Sequence, residues 1–333
     1  MNNSKTILIT GGAGFIGSHL AEKFHTAGFK VIILDNLFRG KLENISHLID
    51  SGVMFKKLDL IKPEDQEQIY QMISSIKPDY IAHYAAINGT QYFYDFPQLV
   101  AETNSIGTYN LLLAIKKVKE EDVNYLPLII FASTSETYGE PLDIPSKETS
   151  VTYVRLEETR DSYAAAKLMS EFYVKLFSEG MKTDWMIFRI FNVYGPRMVG
   201  TKYGQVIPEF ITRLRQGEYP LQIFGNGEHT RSFIYVNDHV DLAFKAITTA
   251  QRNEVYNLGN PEEISIKSLA EIIMKKMNLE PKFLFGEERS GDHKRRLPSI
   301  EKLLGNIGPH QLMNIEEGVA LMLDNYKWKT EKI

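Results

Sequence analysis

Two short stretches hold residue types that could move a proton. "STSETYG" carries Thr134, Ser135, Glu136 and Tyr138, and "DSYAAAKLMSEF" carries Tyr163 and Lys167 four residues apart. A free phenol has a pKa of about 10, too high for a ready base at neutral pH. A nearby ammonium favours the phenolate, at about 1.4 kcal/mol per unit of lowering. On a helix, residues i and i+4 share a face, so Tyr163 and Lys167 can act on one ligand. Thr134, at the end of an apolar strand, can hydrogen-bond the hydroxyl that reacts, because ligands bind at the carboxyl edge of a parallel sheet. The chemistry would be oxidation of an alcohol, with Glu136 as a further acid or base beside it. Each piece alone has an ordinary reading, as an exposed helical pair or a solvated turn. Their order behind a glycine loop favours catalysis.

That loop is Gly11, Gly14 and Gly17, spaced G-x-x-G-x-x-G between the first apolar strand and the first helical pattern. Glycines permit the tight turn and let backbone N–H groups, with those of Phe15 and Ile16, approach a diphosphate at a helix N-terminus. Asp35 ends the second strand, 24 residues after Gly11, where an acid can accept from ribose hydroxyls. Its carboxylate would repel a 2′-phosphate, which favours NAD over NADP, while Arg39 pulls the other way. Asn36 beside it, Asp59 and Leu60 after the third strand, and Ala85 after the fourth complete the expected cofactor contacts, with Asp59 near the adenine.

These residues need a frame. Short apolar runs at 6–10, 30–35, 53–59, 80–86, 126–133 and 184–195 read as strands, and helical spacing covers about 63–76, 97–118 and 161–180. Alternating strands and helices imply right-handed crossovers and a parallel sheet covered on both faces. The expectation is an α/β chain: a doubly wound parallel sheet of the Rossmann type with a smaller C-terminal α/β lobe that binds substrate. The nucleotide domain would span 1–180, with strands near 184–194 and 230–260 returning to it, and the lobe about 195–330.

Bulk properties narrow the function classes. The chain has 333 residues, 43% hydrophobic, with a formal net charge of -4. That balance gives no electrostatic reason to expect nucleic acid. The absence of cysteine excludes disulfides, thiolate catalysis and zinc–thiolate sites, and suits a reducing cytoplasm. No run approaches the eighteen or so apolar residues of a membrane span. His83, His229, His239 and His293 lack a metal-binding spacing, so no metal and no membrane partner is expected.

"TGGAGFIGSHL", "HYAA", "TNSIGTYNLL", "STSETYG", "YAAAK", "RIFNVYGP", "FGNGEHTRSFIYVND" and "YNLGNPE" run nearly end to end. Together they resemble the extended short-chain dehydrogenase/reductase family, in its nucleotide-sugar epimerase/dehydratase/decarboxylase branch. The resemblance implies Thr134, Tyr163 and Lys167 as the catalytic set and Asn104 as a structural or cofactor-side residue. It implies Asn192, Arg231 and Arg295 or Asp292 around the diphosphate of a nucleotide sugar, and Ser135 and Val206 are expected on the substrate side. Asn88, in a segment that departs from the decarboxylases of the branch, is expected to line the pocket of a different sugar. It also implies NAD as cofactor and a homodimer built on the helices near 97–118 and 161–180.

Members of the branch first oxidise a sugar hydroxyl, commonly at C4. Thr134-Ser135-Glu136 departs from the Thr-Asp-Glu of the 4,6-dehydratases, because a serine is a poor proton donor to departing hydroxide. The leading expectation is epimerisation, or release of a 4-keto sugar by a 4-dehydrogenase. The alternative is decarboxylation of a nucleotide-linked uronic acid, where Thr-Ser-Glu is similar but "AAINGTQYFYDFP" departs. A silent NAD-binding sensor belongs to another class, disfavoured by the presence of both Tyr163 and Lys167.

Overall fold

The computed structural model describes residues 4–198, 205–287 and 294–325. Seven parallel strands form the main sheet: β1 (Thr6–Thr10), β2 (Lys30–Asp35), β3 (Met54–Lys57), β4 (Tyr80–His83), β5 (Leu128–Thr134), β6 (Trp185–Ile190) and β7 (Glu254–Leu258). Their order is β7-β6-β5-β4-β1-β2-β3. The chain starts in the middle and winds outward in both directions. The reversal falls between β1 and β4, which opens a crevice at their carboxyl ends.

The strands read as solid apolar runs because both of their faces are buried. Along β1 and β2, Ile7, Ile9, Val31 and Ile33 join one core cluster, while Leu8, Ile32 and Leu34 join the other. On the first face lie α1 (Phe15–Thr26) and α6 (Val236–Thr249), and on the second lie α2 (Pro63–Ile76) and α3 (Pro97–Glu121). Each fully buried Ile or Leu contributes roughly 1.5–3 kcal/mol of transfer free energy. The helix α4 (Asp161–Met181) packs beside α3.

A third core cluster unites α5 (Val206–Arg215), α7 (Ile266–Lys276) and α8 (Ile315–Asn325), through Ile211, Leu269 and Val319 among others. It supports three two-stranded ribbons. Of the segment 230–260, only Glu254–Leu258 enters the main sheet; Thr230–Ser232 pairs antiparallel with Glu263–Ser265, and Ile234–Tyr235 pairs with Val193–Tyr194. The short helix Thr90–Asp95 has no periodic signature in the sequence.

Candidate active site

One cavity of about 920 Å³ runs from the β1 turn, across the ends of β4 and β5, to α5. Its first end is built from glycine. Gly11 has φ +71, and a Cβ there would lie 2.6 Å from the Ala85 nitrogen; a Cβ on Gly17 would lie 2.2 Å from the Gly11 carbonyl oxygen. The close contact of α1 with the turn therefore excludes side chains. Gly14 caps α1 without a side chain, so the first-turn N–H groups stand at the cavity wall and the helix dipole favours an anion there. This cradle fits a dinucleotide's diphosphate.

Asp35, nearly buried, lines the same end. Its carboxylate accepts from the backbone N–H groups of Ala13 at 3.0 Å and Leu37 at 2.8 Å. Burial raises its pKa, and those two amides oppose the rise. Asn36 donates to Asp59 at 2.9 Å, and both, with Leu60 and Ala85, line the cavity. Asn104 does not. It is fully buried and donates to the carbonyls of Ile87 and Val100 at 2.9 and 2.8 Å, which shapes the wall behind the site.

At the centre Thr134 ends β5 and its hydroxyl accepts from the Glu136 N–H at 3.2 Å, starting the 3-10 turn Ser135–Tyr138. Tyr163, in the first turn of α4, is 4% exposed. Its ring stacks on Phe93 at 4.9 Å between centroids, with 22° between planes. Burial raises the phenol's pKa most; the Glu136 carboxylate adds to the rise, while the Thr134 hydroxyl and the Arg39 guanidinium oppose it. Lys167 is 1% exposed and donates to the Ala132 carbonyl at 2.9 Å, with its ammonium 4.7 Å from the centre of the Phe131 ring. Burial lowers its pKa to about 7, opposed by Glu171 one turn on. The spacing places Tyr163 and Lys167 on one helix face, yet the lysine's bond is to β5. The cation whose charge bears on the phenol here is Arg39.

Glu136 is the meeting point of two guanidiniums. Arg296, 3% exposed, donates from Nη1 to Oε1 at 2.6 Å and from Nη2 to Oε2 at 3.2 Å; Arg160 Nη2 reaches Oε1 at 3.2 Å. The buried Nε of Arg296 has no hydrogen-bond partner among the described residues. Sequence reasoning singles out neither arginine. It chooses Arg295, which the structure turns outward onto Glu263 and leaves outside the cavity lining. Consecutive residues in extended backbone face opposite ways, so choosing between the two needs the register of 294–300. Asp292 and His293 lie outside the described residues.

The second-lobe end is lined by Asn88, Asn192, Val206 and Arg231. Asn192 donates to the Ser232 carbonyl at 3.0 Å, and Arg231 donates to Thr230. Ser135 is buried at the centre. Phe93, which the sequence leaves unmarked inside an aromatic run, supplies the wall behind the phenol.

Among the described residues no cluster could hold a metal ion, and no helix is long and apolar enough to cross a membrane. Comparison with known proteins gives the geometry a lineage. The chain is 34% identical over 328 residues to UDP-glucuronic acid decarboxylase 1 of Xenopus tropicalis, covering 98% of this chain and 73% of that one. It superposes on UDP-glucose 4-epimerase of Thermotoga maritima, solved with UDP-glucose, with a TM-score of 0.85 and 30% identity, covering 96% of this chain and 98% of the other. It also superposes on a point variant of UDP-glucuronic acid 4-epimerase from Bacillus cereus, solved with UDP-4-deoxy-4-fluoro-glucuronic acid and NAD. There the TM-score is 0.83 and the identity 26%, over 96% and 98% of the two chains. Residues 7–259 match the NAD dependent epimerase/dehydratase family as a whole. The sheet, the glycine cradle and this match agree: the chain is a Rossmann-fold, NAD-dependent enzyme and belongs to that family.

Proposed function

We propose that the enzyme oxidises the C4 hydroxyl of a UDP-linked hexuronic acid and then releases the sugar's carboxyl group as carbon dioxide. The observation that carries this reading is the convergence of Arg160 and Arg296 on Glu136, in the cavity that Tyr163 and Thr134 also line. Two guanidiniums meet at the sugar end, and a guanidinium fork matches a carboxylate. The resemblance to decarboxylases of a UDP-linked uronic acid supports the same substrate class.

In this reading Tyr163 takes the proton of the C4 hydroxyl, and Thr134 orients that oxygen. Bound NAD supplies the hydride acceptor. The C4 ketone then stands β to the carboxylate, so the electron pair of the breaking C5–carboxyl bond flows into the C4 oxygen, where the phenol and Thr134 stabilise it. C5 then takes a proton, and C4 regains its hydride and its hydroxyl proton, the latter from Tyr163, so that the net change is loss of carbon dioxide. Arg160 and Arg296 orient the carboxylate. They do not by themselves speed its loss, since they stabilise the charged ground state; the ketone provides the driving force. Glu136 keeps the two guanidiniums in place before substrate arrives. Asn88, Ser135, Asn192, Val206 and Arg231 hold the sugar and its diphosphate, with Arg296 in the role that the sequence assigns to Arg295.

A second reading is epimerisation at C4 with the carboxyl retained, favoured by the likeness to solved 4-epimerases. Product mass separates the two. Incubation with UDP-glucuronic acid should give a product lighter by carbon dioxide. An unchanged mass with inverted C4 selects the second reading, and turnover of neutral UDP-sugars alone overturns both.

A further inference from the structure

The loop after β2 is built to carry one cation over the cofactor cradle. Leu37 takes φ 63, a region that costs a non-glycine residue free energy. The conformation is held by Asp35 accepting from the Leu37 N–H, and by the Asn36 side chain accepting from the Phe38 N–H at 2.9 Å. Gly40 must be glycine, since a Cβ there would lie 2.7 Å from Asp35 Oδ1. Lys41 N and Asn44 Nδ2 both donate to the Ala13 carbonyl, at 3.0 and 2.8 Å. The loop is thus bolted to the glycine turn itself.

Arg39 projects from this loop into the cavity. Its guanidinium lies 5.0 Å from the centre of the Tyr92 ring, which in turn packs on Phe38 at 5.9 Å and Phe96 at 6.3 Å. Strands β2 and β4 flank β1, so a stack joining the loop after β2 to the helix after β4 passes over the glycine turn. Among the described residues no carboxylate forms an ion pair with Arg39. Burial lowers its pKa, and its charge reaches Tyr163. A half-buried cation without a counter-ion is costly, and the turn 11–17 contains no charged side chain. A dinucleotide diphosphate brings two negative charges to this place.

We propose that Arg39 is the counter-charge of the cofactor's diphosphate and, stacked on Tyr92, the strap that keeps NAD bound between turnovers. The same chemistry could serve a 2′-phosphate, and the two sources are separable by ligand. NADH and NADPH affinities would be measured by fluorescence on the wild type, Arg39→Thr, Arg39→Lys and Tyr92→Leu, with adenosine competed against NADH as the phosphate-free probe. Arg39→Thr should weaken NADH about ten- to hundredfold and flatten its salt dependence. Arg39→Lys, which keeps the charge and folds wherever the threonine variant does not, should lose less than about tenfold. Tyr92→Leu should speed NADH release, and adenosine should bind all four proteins alike. Loss of NADPH affinity with NADH unchanged would assign Arg39 to a 2′-phosphate and overturn the proposal. An equal loss for adenosine and NADH, or no loss at all, would overturn it too.

Discussion

Arg296 grips both oxygens of Glu136, at 2.6 and 3.2 Å, across 160 residues of chain. The contact ties the C-terminal segment 294–300 to the turn that follows β5, so the sugar end of the cavity depends on an ion pair between distant parts of the sequence. Arg296→Met should cost about 2 kcal/mol, because Glu136 keeps Arg160 but loses a charge-assisted fork. Denaturant midpoints check this. The same variant should raise KM for a UDP-uronic acid by about tenfold or more, with Arg296→Lys between it and the wild type. An unchanged KM would remove Arg296 from substrate binding.

Tyr163→Phe should leave the fold intact, since the ring keeps its stack on Phe93 and loses only a hydroxyl. Reduction of bound cofactor by substrate should fall by about 10²–10⁴-fold, the range that general acid–base groups supply. Glu136 raises the phenol's pKa, so Glu136→Gln should move the rising limb of the reduction rate, which follows deprotonation of the phenol, to lower pH. Wild-type reduction in the Tyr163→Phe protein would end the assignment of that phenol as base.

The glycine turn, Asp35 and the strand–helix alternation are legible because they obey local rules: three glycines at fixed spacing, an acid at a strand end, apolar runs closed by turn residues. Arg296 is not legible, because which of two neighbouring arginines turns inward depends on tertiary register. Lys167 is half legible. Helical spacing puts it beside Tyr163, but the Ala132 carbonyl that captures its ammonium lies 35 residues back. Phe93 hides in "QYFYDF", where four of six residues are aromatic and no period distinguishes wall from surface. The lobe boundary is blurred because β7 returns to the main sheet after the second lobe has begun.

Ile106 and Leu113 on α3, with Met169, Phe172 and Leu176 on α4, are all exposed by 40–59%. Their spacings of seven, three and four put them on one face of a helix pair, and an apolar patch of this kind marks an interface. A second copy presenting the same face would complete a four-helix bundle. The wild type should therefore scatter as a dimer at micromolar concentration, and Phe172→Glu with Leu176→Glu should scatter as a monomer. A monomeric wild type would sink the dimer.

Lys167 makes the fold itself sensitive to pH. Its pKa in the folded protein is lowered to about 7, chiefly by burial, whereas an unfolded lysine titrates near 10.4. Between those values the unfolded chain binds a proton that the folded chain does not, so stability rises with pH across the window. Below about pH 7 the penalty is complete, and near pH 10 it vanishes. Lys167→Met should therefore stabilise the cofactor-free protein most at the acid end, by a few kcal/mol less about 1 kcal/mol for the lost bond to Ala132. The gain should shrink steadily toward alkaline pH. Urea midpoints of both proteins at about pH 6.5, 8 and 9.5 test the linkage. A gain that stays constant across that range would mean the buried amine does not titrate there, and that its cost is one of packing rather than charge.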